Sequence, residues 1–444
     1  MMPRHLHRLL PLTLALAFSA SAHPTDPAGG PFTATATSSA TASVSSYPGE
    51  LPPAEQAIAA IHQAPEVLGA LATIDAEAAR RRALEAGPYE WAVRLGNQQR
   101  RIDASDAAAQ RYREWSAALE RPLRLPGKAS LDAAIGAQGV AQARVGHADA
   151  MHETARSLLA AWFNWLRESD TARQWQRQSE SLQRQREATA RRVALGDGAR
   201  LELMQAEAAA AQAQAALEQA RRRTAVAAAE LRSRFPAITL PATPPTAAQP
   251  QPLAGDIGEW REHLLKENHE LRLARAGTQQ ARLLANRSDA ERTPDPTVGM
   301  HVGSDRGGEE RVTGLTLSIP LPGGARAANA QREGALASVA AQREAATLAK
   351  VNAEISGALA AVETAYAGWQ SSEDAAQRLE QAAALMARAR TLGEAALGDV
   401  LLAQRQANEA RLAANATRLE ALEARYRLLL DTHQLWAYAD EDDD

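Results

Sequence analysis

Cysteine is absent from the 444-residue chain. That excludes disulfides, thiolate metal sites, cysteine nucleophiles and a lipoprotein anchor together. Aromatic residues are 4% of the total, poor material for a thick globular core. There is no excess of positive charge: the net charge is -4 and the pI is near 6.3. A stripe that neutralises phosphates, and with it nucleic-acid binding, is therefore not expected. After the N-terminus no stretch offers the roughly 20 continuous apolar residues of a membrane helix. No phosphate loop, nucleophile elbow or paired-acid arrangement is present, so neither an enzyme nor a cofactor is expected. His147 and His152, like His263 and His269, lack the spacing of metal ligands on one helix. They read as scattered surface histidines, with no metal site.

What is present is Ala, Leu, Glu, Arg and Gln in long runs, with a mean hydropathy of -0.35. Such runs suit long helices packed side by side. Arg4, His5, His7 and Arg8, the apolar run from Leu9 to Phe18 and Ser19-Ala20-Ser21-Ala22 predict a secretory signal peptide over 1–22. Residues 23–53 are rich in Ala, Thr, Ser and Pro and are expected to form a flexible leader. A Pro-rich linker over 236–256 divides a first half, 54–235, from a second, 257–436. The acidic end, 437–444, reads as a solvated tail.

The halves repeat one another. "LGDGARLELMQAEA" (195–208) pairs without a gap with "LGEAALGDVLLAQR" (392–405). Leu195 meets Leu392, Gly196 meets Gly393, Asp197 meets Glu394 and Glu202 meets Asp399. "APEVLGALATIDAEAARR" (64–81) parallels "NHELRLARAGTQQARLL" (268–284), and "LPGKA" (125–129) parallels "LPGGA" (321–325). Pairing "WFNW" (162–165) with "YAGW" (366–369) changes the spacing by two helical turns, which predicts an insertion within continuous coiled helix. Each half is expected to run helix (54–86, then 257–290), hairpin, long helix, Leu-Gly turn and returning helix. Leu412, Leu419, Leu422, Tyr426 and Leu429 form an a/d seam on the last of these.

The hairpin segments alternate with period two. Tyr89, Trp91, Val93 and Leu95 share one face, as do Val298, Met300 and Val302, and Thr313, Leu315, Leu317 and Ile319. Between the latter two runs, 304–311 reads as a polar loop. Trp91 and Trp115 suit an interfacial aromatic girdle or ordinary packing. Four strands of about nine residues can cross a bilayer when tilted but cannot close. Several chains would have to share one barrel, because open sheet edges do not occur in lipid.

Together these features resemble the TolC family of outer-membrane efflux channels over nearly the whole mature chain. "RPLRLPGKA" (121–129), "TPDPTVGM" (293–300) and "SIPLPGGA" (318–325) resemble most the heavy-metal, cobalt-zinc-cadmium, branch. The resemblance implies a mainly α chain with membrane β structure, a homotrimer with four strands per chain in one twelve-stranded barrel, and a periplasmic helical barrel beneath. It implies outer-membrane lipid, a periplasmic adaptor and an inner-membrane pump of the resistance-nodulation-division type as partners, and metal cations as cargo.

The turns Leu195, Gly196, Asp197 and Leu392, Gly393, Glu394 would be the adaptor-docking tips, although Leu-Gly also serves as a helix C-cap. Glu202 and Asp399 would stand at the periplasmic constriction. Asp399-Val400-Leu401-Leu402 keeps the first acid of the family's Asp-Val-Leu-Asp pattern and has Leu402 in place of the second, which departs from a gate of two acidic rings. The competing expectation is a soluble periplasmic coiled-coil scaffold or the adaptor itself. A single helical hairpin between β modules would suit that better than the duplicated one.

Overall fold

The computed structural model describes residues 49–103 and 109–436. The expected signal peptide, most of the leader and the acidic tail lie outside these residues.

Two short helices open the described chain, α1 (Ala54–His62) and α2 (Pro65–Ala86). Pro65 sits at the first turn of α2, where its missing N–H costs nothing, and the axes meet at 54°. The single helix expected over 54–86 is thus broken. The second is broken likewise, into α5 (Ile257–Lys266) and α6 (His269–Ala290). Asp256 caps α5 by accepting from Gly258 and Glu259, and Asn268 caps α6 by accepting from Leu271.

The long helices are α3 (Lys128–Ala194) and α7 (Gly324–Thr391), of 67 and 68 residues, or on the order of 100 Å each. They return as α4 (Arg200–Arg234) and α8 (Leu397–Asp431), both of 35 residues. The strands are β1 (Ala92–Ile102), β2 (Gln110–Pro122), β3 (Thr297–Asp305) and β4 (Glu310–Ser318). The first hairpin has strands of 11 and 13 residues and the second has nine in each. The change of spacing between the halves therefore falls in the hairpins, not within the long helices as the WFNW/YAGW pairing predicts. Trp162, Phe163 and Trp165 fill one core cluster, whereas neither Tyr366 nor Trp369 belongs to a core cluster. Those segments are not equivalent. The polar loop expected over 304–311 is also shorter, because both strands run on to a single 3-10 turn, Arg306–Gly308.

The largest core gathers α1, the middle of α3, and the ends of α4 and α8 around Trp162, Phe163, Leu231 and Tyr426. Leu419, Leu422 and Tyr426 of the expected seam are buried there. Phe235 and Ile238 of the Pro-rich stretch are buried in the same core, and Pro244 accepts from Arg173 at 3.1 Å. The start of that stretch packs as a strap. The end of the leader is also fixed: Trp162 Nε1 donates to the Glu50 carbonyl at 2.7 Å, and the Tyr426 hydroxyl donates to the Glu50 carboxylate at 2.6 Å. A second core joins α5, α6, α7 and α8 through Leu264, Leu271, Val351, Ile355 and Leu428.

Candidate functional site

All four strands form one antiparallel sheet in the order β1-β2-β3-β4, so β2 and β3 join the two hairpins and β1 and β4 are edges. The register aligns the oily positions in rows across it. Val93 lies opposite Leu119, Leu119 opposite Met300, and Met300 opposite Leu315. The neighbouring row is Leu95, Ala117, Val302 and Thr313. These side chains are not covered: Leu95 is 78% exposed and Leu315 88%. Trp91 precedes β1 at one end of the rows, with the Arg121 guanidinium 5.3 Å from its ring. Trp115, opposite Asn97, bounds the other end, about 20 Å along the strand at ~3.4 Å per residue.

The opposite face is polar. Arg94 pairs with Glu120 at 3.1 Å, Gln98 donates to Glu114 at 2.8 Å, and Arg100 pairs with Glu114 at 3.1 Å. Gly314 belongs there because a Cβ would lie 2.5 Å from the His301 ring.

A buried network fixes the sheet to the helices. Lys128 Nζ lies 2.9 Å from Asp295 Oδ1 and 3.2 Å from Glu291, and donates to the Thr293 carbonyl at 2.8 Å. Asp295 also accepts from the Leu125 N–H at 3.0 Å and from the Tyr89 hydroxyl at 2.9 Å. Burial alone would raise the Asp295 pKa, but these donors outweigh it and hold the carboxyl below its ordinary range. Burial and Asp295 together push the Tyr89 hydroxyl up to about 12. The stretches "RPLRLPGKA" and "TPDPTVGM" thus meet in one junction, which neither reveals alone.

At the other end of the long helices stand the Leu-Gly turns. Gly196 and Gly393 adopt φ of 79° and 82°, the left-handed region that favours glycine. Asp197 N–H returns to the Arg192 carbonyl and Glu394 N–H to the Ala389 carbonyl, each at 2.9 Å. Both turns are therefore Schellman caps. They leave Leu195 84% and Leu392 67% exposed. Asp197 is held by Arg192 at 3.3 Å, and Glu394 is exposed.

Glu202 and Asp399, expected at one constriction, sit in different surroundings. Arg390 Nη2 donates to both oxygens of Glu202 at 2.7 Å, and its Nη1 donates to the Ala395 carbonyl at 3.1 Å. Glu202 of α4 is thereby tied to the end of α7. Asp399 and Leu402 are exposed.

The expectation of scattered surface histidines is overturned for two of them. His152 of α3 and His269 at the start of α6 are buried and meet His433, which follows α8 in a left-handed turn with φ of 56°. His433 was not among the candidates the sequence suggested. Ring centroids lie 5.3 Å apart for 152 and 269, 5.8 Å for 152 and 433, and 5.0 Å for 269 and 433. His269 Nε2 is 3.0 Å from His433 Nε2, and His152 Nε2 is 3.2 Å from Asp431 Oδ1. Burial, then the charges of His152 and His433, push the His269 pKa down to about 3, which keeps its imidazole neutral.

No protein-family model matches the chain, and no curated protein matches it. Solved structures do. The Campylobacter jejuni CmeC outer membrane channel superposes with a TM-score of 0.69 at 14% identity, covering 88% of this chain and 86% of that one. The Vibrio cholerae outer membrane protein VceC gives 0.67 at 18%, covering 87% and 97%. The open state of the Neisseria gonorrhoeae MtrE outer membrane channel gives 0.60 at 20%, covering 87% and 91%. Over nearly its whole described length, the chain has the fold of these outer-membrane channels.

Proposed function

We propose that the protein is the outer-membrane channel of a tripartite efflux system. Three copies would pool four strands each into a twelve-stranded barrel, and the helical hairpins would continue it as a periplasmic tunnel. The observation that carries this reading is the exposed apolar row Val93, Leu119, Met300 and Leu315, which crosses a sheet whose two edges are unpaired among the described residues. Water makes such a face unfavourable, and lipid makes unpaired edges costly by several kcal/mol per backbone group. Closure with neighbouring copies in a bilayer answers both.

The polar face then lines the duct. The protein supplies no energy; an inner-membrane pump of the resistance-nodulation-division type drives export through a periplasmic adaptor docked at Leu195, Gly196, Asp197, Leu392, Gly393 and Glu394. Heavy-metal cations are the proposed cargo, on the resemblance of the stretches 121–129, 293–300 and 318–325. Glu202 and Asp399 would lie near the periplasmic constriction, with Glu202 acting through its link to Arg390.

Fractionation of cells and reconstitution of the purified protein into planar bilayers test this. Recovery in the outer membrane and stepwise conductance support it; a soluble periplasmic protein without conductance favours the coiled-coil scaffold. Co-expression with metal and drug pumps tests the cargo, and rescue of drug resistance alone would remove the metal assignment.

A further inference from the structure

We propose that His152, His269 and His433 form a three-imidazole site for a divalent transition-metal ion of the zinc class. The site is independent of the channel reading.

The three residues belong to separate segments: the middle of α3, the first turn of α6 and the turn after α8. One ligand nitrogen from each lies within 4.8 Å of the others. Nitrogens bound tetrahedrally to zinc at ~2.1 Å stand about 3.4 Å apart. A nitrogen from each ring within 4.8 Å of the others is near enough to that value for small ring rotations to converge on one ion.

Ordinary packing explains the cluster poorly. Three basic rings gathered in one place gain less than aliphatic side chains of the same volume. His269 is 2% exposed, and its Nδ1 is buried with no hydrogen-bond partner. A buried polar atom left unpaired costs about 1–3 kcal/mol.

The surroundings are those of a ligand set. Metal-bound histidines are oriented by carboxylates behind them. Asp431 stands 3.2 Å from His152 Nε2 and is itself held by Arg156 Nε at 2.8 Å, while Glu267 lies 3.9 Å from His433 Nδ1. A cavity of about 70 Å³ borders His152, His269 and Asp431, with Asp149, Glu153 and Glu270 also in its wall. It leaves room for a water or a further ligand. Imidazoles with nearby carboxylates select Zn²⁺ and its neighbours in the series over Mg²⁺ or Ca²⁺. Because α3, α6 and the end of α8 converge there, a bound ion would staple the two halves at their junction.

The test uses the full-length protein in detergent, stripped with a chelator and titrated with Zn²⁺ and, separately, Co²⁺. One tight equivalent per chain is expected, with the intense visible bands of four-coordinate cobalt and a raised Tm. His433→Asn, at a left-handed position asparagine tolerates, should weaken binding at least tenfold, and Asp431→Asn by roughly 10–100-fold. His147→Ala, outside the cluster, should leave both affinity and spectrum unchanged. Absence of a tight equivalent in the unmodified protein, a weak octahedral cobalt spectrum, or equal affinity in His433→Asn would each overturn the site. The cobalt spectrum of the unmodified protein decides the matter even if a variant fails to fold.

Discussion

The Lys128 ammonium, 2% exposed, lies 2.9 Å from the Asp295 carboxylate at the point where the sheet meets the long helices. Removing one partner of a buried pair leaves the other charge uncompensated, at a cost of about 3–5 kcal/mol. Lys128→Ala should therefore lower stability by roughly that amount, read as a large drop in Tm. An unchanged Tm would show that water replaces the ammonium without penalty.

The same junction has a pH signature. Asp295 is held below its ordinary pKa in the folded protein, so its contribution is complete above the unfolded carboxylate value of about 3.9 and is lost as pH falls through the lower folded value. Tm measured for the unmodified chain and for Asp295→Asn should differ clearly at neutral pH and converge as pH falls through the lowered folded value. A gap that stays constant on acidification would assign the stabilisation to something other than ionised Asp295.

At the far end, Glu202 and Arg390 link α4 to α7 with both oxygens engaged. The pair is partly exposed, so its loss should cost only about 1 kcal/mol or less. If the tips narrow the duct, Glu202→Gln should raise single-channel conductance while Tm scarcely moves. Unaltered conductance would mean the link is structural only.

Leu195 and Leu392 are exposed beside capped turns, where substitution ordinarily changes stability by no more than ~0.5 kcal/mol. Leu195→Asp combined with Leu392→Asp should keep Tm and membrane assembly but abolish efflux in cells that supply the pump and adaptor. Full efflux by the double variant would remove the tips as docking points.

The strand faces were legible because a two-residue period needs only local sequence: Val93, Leu95, Met300 and Leu315 all fall where the alternation places them. The Leu-Gly turns were legible for the same reason. What the sequence concealed depends on long-range packing. Glu202 and Arg390 are 188 positions apart, His269 and His433 are 164, and Glu50 and Tyr426 are 376. No spacing rule reaches across such distances. The WFNW/YAGW pairing fails because Trp162, Phe163 and Trp165 fill a core that neither Tyr366 nor Trp369 joins, and the length difference lies in the hairpins.

Lipid exposure of the oily face can be tested by charge. Leu315→Arg should hinder assembly in the membrane, with a cost of about 2–4 kcal/mol at mid-bilayer. Ala118→Ser on the opposite face should assemble normally. Equal behaviour of the two would contradict a bilayer around this sheet.

Closure of the sheet by neighbouring copies can be seen covalently, since the chain carries no cysteine of its own. Cysteines introduced in pairs along the two edge strands, beginning with Leu95→Cys and Leu315→Cys, would be oxidised in isolated outer membranes and run on a denaturing gel. A shared barrel predicts a ladder ending at the trimer for the pairs in register, with none from either single variant. Monomer from every pair along both edges would contradict a barrel built from β1 of one copy and β4 of the next.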